Sequence, residues 1–224
     1  LGGGVAGSMA HDSKEIFAEG LRIPPIKLYE AGKLNEAIFK ILEVNVRVQR
    51  IIVGDLRALV GACNGAEGRF VGVMDHYGIE TTGLLMEELL NHSEELTRAE
   101  IRSWPDGTYN FTDYVDHDGV DKDPIKIQVA LTVNGDTVNV DFAGTSSQRK
   151  RSACNSTLPS TKSTVYCAMR GVMSSDIPIN SGFYRPIQVS APLGSCLNAE
   201  LPAAVALRHI PTLCAADAVY GALA

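Results

Sequence analysis

The sequence predicts an α+β fold: a helical N-terminal half over about residues 1–104, packed with an antiparallel hairpin-based β region and C-terminal helices over about 105–224. Three observations predict it. Between residues 33 and 104, apolar residues recur at helical spacing with only short connections. Pro105-Asp106-Gly107 then stops that pattern with a strong turn signal. Beyond it, Ile125, Ile127, Val129, Leu131 and Val133 alternate strictly with their neighbours and lead into Asn134-Gly135, a type I′ hairpin signal. Strands do not alternate regularly with helices, so a Rossmann-type sheet is not expected.

The elements follow in order. Residues 1–8 are a glycine-rich turn, and Ser8 or Asp12 can cap a short helix that runs through Ala18 and stops at Gly20. Leu21 to Leu28 is extended, because Pro24-Pro25 forbids helix. A helix from about Leu34 to Val44 carries Leu34, Ile38, Ile41 and Leu42 on one stripe. Further helices are predicted over about 47–63, 69–76 and 82–104. Tyr109, Phe111 and Tyr114 mark a strand, closed by the turn Asp116-His117-Asp118-Gly119. The hairpin of residues 125–142 should bury Ile125, Ile127, Val129, Leu131, Val133, Val138, Val140 and Phe142. A helix over about 162–173, a short strand over 187–191 and a helix from Thr212 to Ala224, with Pro211 near its first turn, complete the chain.

Composition removes several function classes. The net charge is −6, whereas a general nucleic-acid binder needs a basic face. No apolar run reaches the length of a membrane span. The five cysteines are scattered without a Cys-x-x-Cys pair, which reads as reduced thiols of a cytoplasmic protein, each a small buried hydrophobe. His76 and His92 read as solvated helix positions, and no pair of histidines has metal-ligand spacing. Gly2-Gly3-Gly4 follows no strand, and Gly144-Thr145-Ser146 lacks the lysine of a phosphate loop. No nucleophile elbow is present. Both ends read as cut: the chain starts at Leu1-Gly2-Gly3-Gly4 and stops inside a helical pattern.

Two stretches carry the candidate chemistry. Asp141-Phe142-Ala143-Gly144-Thr145-Ser146-Ser147-Gln148 leaves a strand and breaks into a polar turn. Asn180-Ser181-Gly182-Phe183-Tyr184-Arg185-Pro186 brings a guanidinium fork suited to carboxylate or carbonyl oxygens. Asp141, Asn180 and Arg185 are the candidate catalytic residues, with Thr145 expected to share their cleft. Gly144, Thr145, Ser146 and His209 are candidate substrate-binding residues. Asp141 is read as general base or as the partner that positions Arg185; a buried structural Asp141–Arg185 pair weighs nearly as much. His209 stands at a helix N-terminus, a place suited to anions.

Nine blocks, in order, resemble the hydantoinase B family. They are Gly7-Ser8-Met9, Glu19 to Leu28, Asn45-Val46-Arg47, Gly54-Asp55-Leu56, Pro105-Asp106-Gly107, Asp141 to Ser146, Asn180 to Pro186, Pro192 to Asn198 and Pro202 to Val205. The family includes the B-type subunits of N-methylhydantoinases, the C-terminal part of 5-oxoprolinase, and subunits of acetone and acetophenone carboxylases. The resemblance implies a B-type subunit of an ATP-dependent cyclic amide hydrolase for hydantoin utilisation or a related task. Alternatives are a ketone carboxylase subunit and an inactive assembly fragment. It further implies a hetero-oligomer in which a hydantoinase A-type partner binds ATP and Mg and activates a small cyclic amide or ketone substrate. A divalent metal, Mn or Zn, would use residues upstream of this chain; no metal ligand is assigned within it. Arg22 stands where the carboxylase branch often has His, Val48 where proline is frequent, and Ser147-Gln148 where Pro-Gln is common.

Overall fold

The computed structural model describes residues 13–224. The glycine-rich turn of residues 1–8 and the capping roles of Ser8 and Asp12 lie outside them. The chain divides into two compact units; among the described residues, one comprises 17–85 and the other 13–16 and 86–224.

The first unit is largely helical. After a single turn of 3-10 helix at Ile16–Glu19, residues 21–28 form neither helix nor strand, in keeping with the two prolines. A two-stranded ribbon pairs β1 (Tyr29–Glu30) with β2 (Lys33–Leu34). Ala31 and Gly32 turn it, both with positive φ. Asn35 caps α1 (Glu36–Asn45): its side-chain oxygen accepts from the Ile38 amide at 3.4 Å. Ile38, Phe39 and Leu42 form the buried stripe, while Ile41, expected on it, is exposed.

The two helices predicted over 47–63 and 69–76 are one: α2 runs unbroken over Gln49–Tyr77. In sequence, Asn64-Gly65-Ala66-Glu67-Gly68 reads as a connection between them. Glycine in a helix costs about 1 kcal/mol relative to alanine, but unlike proline it keeps its amide and so does not break the ladder. The break comes at Gly78 (φ 83), after which α3 covers Ile79–Arg102.

The second unit holds the sheet. A four-stranded sheet is ordered β3 (Gly107–Val115), β4 (Ile125–Asn134), β5 (Thr137–Asp141) and β6 (Ile187–Ser190). The first three strands are antiparallel, and β6 lies parallel to β5. The predicted hairpin is present, and all eight of its predicted inward residues are buried. Its turn differs by one residue. Asn134 pairs with Thr137, so the two-residue loop is Gly135-Asp136, and only Gly135 (φ 61) has positive φ. That is the pattern of a type II′ turn rather than type I′.

The apolar face of the sheet is covered by α4 (Leu158–Val172) and α6 (His209–Leu223). The approach of α6 is close: a β-carbon on Gly221 would lie 2.6 Å from the Phe111 ring. The segment before β6 contains a one-turn helix, α5 (Ser181–Tyr184), capped by the Asn180 side chain on the Gly182 amide at 2.8 Å. Three cysteines, Cys154, Cys196 and Cys214, are buried as expected, whereas Cys63 and Cys167 are exposed. Burial pushes the Cys154 thiol up to about 11 and the Cys196 thiol up to about 12, so neither is a ready nucleophile.

Candidate functional site

The two candidate stretches lie in the second unit, and each can be built from its strand. Asp141 is the last residue of β5. Its neighbours Val140 and Phe142 face the buried side, so its own side chain is on the polar side with Asn139. There its carboxylate accepts from the Ser190 hydroxyl at 2.8 Å, across the parallel β5–β6 pair, and from the Ala143 amide at 3.2 Å.

The turn beyond Asp141 folds back onto β4. Gly144 has φ 88, the left-handed conformation that favours glycine, and a β-carbon there would lie 2.7 Å from the mobile end of the Gln128 side chain, which would have to shift. The Thr145 hydroxyl accepts from the Gln128 amide at 3.1 Å and donates to its carbonyl at 3.2 Å. Ser146 takes the Lys126 amide on its Oγ at 2.9 Å and gives its own amide to the Lys126 carbonyl at 2.9 Å. These groups continue the β4–β5 ladder after β5 has ended. Chemically, the hydroxyls of Thr145 and Ser146, candidates for substrate binding in the sequence, serve backbone groups of the β4 strand.

The second stretch is organised around α3. Asn180 donates to the Ser93 hydroxyl at 2.7 Å. Gly182 sits so tightly on the helix that a β-carbon would lie 1.9 Å from the Leu90 carbonyl oxygen. Arg185 reaches three α3 side chains: Asn91 at 2.9 Å, Glu94 at 3.0 Å and Glu87 at 3.3 Å. Glu94 also receives Arg98, which in turn binds Asp136 at the hairpin tip. The bonds from Arg98 and Arg185 hold the Glu94 carboxyl below the usual carboxylate range.

The expected single cleft is therefore not assembled by these side chains. The Val138 amide donates to the Pro186 carbonyl at 3.0 Å, which sets Arg185 level with Asp136, while Asp141 lies opposite Ser190. The difference is five residues of strand, about 16 Å at about 3.3 Å per residue. Asp141 and Thr145 stand at one end of the β5–β6 pair, and Asn180 and Arg185 at the other. The alternative reading, an Asp141–Arg185 pair, is replaced by Arg185 with Glu94 and Glu87. His209 opens α6, is exposed, and accepts on its carbonyl from the Thr212 hydroxyl at 3.2 Å. Among the described residues, no three His, Cys, Asp or Glu side chains converge as metal ligands.

One charged group is not visible as such in the sequence. Asp118, by its setting a turn residue, has a fully buried side chain. Burial opposes its charge, but it accepts from Arg149 Nε (2.8 Å), the Asp121 amide (2.7 Å), the Val120 amide (2.9 Å) and the Ser152 hydroxyl (2.8 Å). Together these hold its carboxyl well below the ordinary range. Asn155 completes the knot, binding the Arg149 amide and carbonyl and the Ala204 carbonyl. The one signal that could have found it is the basic run Arg149-Lys150-Arg151, which follows the Gly144 turn and offers this acidic loop a partner.

Comparison with known proteins decides what the whole arrangement belongs to. Residues 1–224 match the family model described as Hydantoinase B/oxoprolinase. The chain belongs to that family. The B-type subunit of a putative D-/L-hydantoinase from Pseudomonas sp. (strain NS671) is 34% identical over 223 residues, covering 95% of this chain and 38% of that protein. The caprolactamase β-subunit of Pseudomonas jessenii is 33% identical over 225 residues, covering all of this chain and 38% of its own length. The crystal structure of the ATP-dependent caprolactamase from that organism superposes with a TM-score of 0.93, over 100% of this chain and 38% of that one. An acetone carboxylase structure, 22% identical with a TM-score of 0.83, shares the fold. The chain thus spans well under half the length of these relatives. The α+β class and the family expected from the nine sequence blocks both stand.

Proposed function

We propose that this chain is part of a B-type subunit of an ATP-dependent enzyme that opens cyclic amides. The observation that carries the reading is the superposition of the whole chain on the ATP-dependent caprolactamase at a TM-score of 0.93 and 33% identity. An amide carbonyl is a poor electrophile; phosphorylation of its oxygen creates a leaving group, and the B side then positions water and stabilises developing charge. An A-type partner would bind ATP and Mg and supply that activation. The described residues bring together no ligand set for a divalent metal.

Within this reading Asp141 is the candidate general base or water-orienting group, at the end of the parallel strand pair beside the Gly144 turn. Thr145 and Ser146 hold that turn in shape. Asn180 and Arg185 act as positioning residues for α3 rather than as groups that touch substrate. His209 is kept as a candidate anion contact at the start of α6.

The test is reconstitution of the full-length protein containing this chain with its A-type partner. ATP-dependent release of the ring-opened amino acid from a lactam, a hydantoin or 5-oxoproline is the expected result. Bicarbonate- and ATP-dependent carboxylation of a ketone, with no ring opening, would replace it with the carboxylase reading. Assembly with the partner but neither reaction would leave a scaffolding role.

A further inference from the structure

We draw no further inference here: the strongest candidate, the exposed stripe on α2 formed by Leu59, Ala62, Ala66, Phe70 and Val73, is an apolar helix face for which nothing in the structure shows what covers it.

Discussion

Two arginine–carboxylate clusters in residues 86–224 use the same chemistry and differ in where they put it. Around Asp118 the carboxylate is fully buried and Arg149 is largely so, and both oxygens are occupied by short bonds. Around Arg185 the pairs with Glu87 and Glu94 lie at the surface, with the guanidinium side chain 36% exposed. The first cluster has no water to fall back on if a partner is lost. The second exchanges protein partners for solvent at small cost. An Arg–acid pair seen in sequence therefore says little about energy until its burial is known.

The largest expected effect follows directly. Asp118→Ala should cost about 3–5 kcal/mol, because it strands a buried guanidinium and the loop amides together. Denaturant unfolding of the wild-type and variant chains measures it. A loss no larger than that of a surface pair would break the comparison. The same cluster sets a pH dependence. The folded pKa of Asp118 lies below its unfolded value of about 3.9, so its contribution is complete above that value and is lost as pH falls through the folded pKa. The stability gap between wild type and Asp118→Asn should therefore stay level from about pH 8 to about pH 5 and narrow only below about pH 4.

Next in size is Gly182→Ala. The added methyl would meet the Leu90 carbonyl, backbone that cannot rotate away. A cost of roughly 1–3 kcal/mol follows, toward the upper end, with the α5 turn lifted from α3. Gly144→Ala is the control: its obstacle is the flexible Gln128 side chain, so the strain of its positive φ, about 1–2 kcal/mol, dominates. A near-zero effect of Gly182→Ala, smaller than that of Gly144→Ala, would show that the α5–α3 contact is loose. Thr145→Val comes third, at about 1 kcal/mol, since its hydroxyl serves both backbone groups of Gln128. Hydrogen exchange at the Gln128 amide should speed up with it; unchanged protection there would mean the hydroxyl is dispensable to the ladder.

What is legible in the sequence follows from which forces are local. The hairpin is legible because period-two burial and a Gly-containing turn are both written in consecutive residues. Its loop is not, because Asn134-Gly135 and Gly135-Asp136 are both acceptable turn pairs, and only the cross-strand register chooses between them. The unity of α2 is hidden because glycines weigh as breaks in a local reading, yet they leave the helical hydrogen bonds intact. Asp118 is hidden because burial of a turn residue depends on a segment some thirty residues later. The candidate site shows the same limit. Asp141, Thr145, Asn180 and Arg185 are all in the second unit, as grouped, but the parallel pairing of β6 with β5 separates them by the length of a strand. Strand direction after a long connection is a tertiary fact.

The smallest expected effect is also the one that best separates structure from chemistry. Arg185 bridges Asn91, Glu94 and Glu87 from the start of β6, and Glu94 keeps Arg98 as a second partner when Arg185 is removed. No buried charge is orphaned, and the side chains released are accessible to water. Arg185→Ala should therefore lower the melting temperature least of the variants named above. The difference should shrink further at about 1 M salt, where the screening length falls to about 3 Å. In the reconstituted full-length complex, ring opening should persist in Arg185→Ala and fall sharply in Asp141→Asn with melting unchanged. Loss of turnover in Arg185→Ala at wild-type stability would overturn the assignment. It would mean that the guanidinium turns from α3 to substrate in the assembled enzyme, and the two ends of the β5–β6 pair would then have to be read as parts of one larger site.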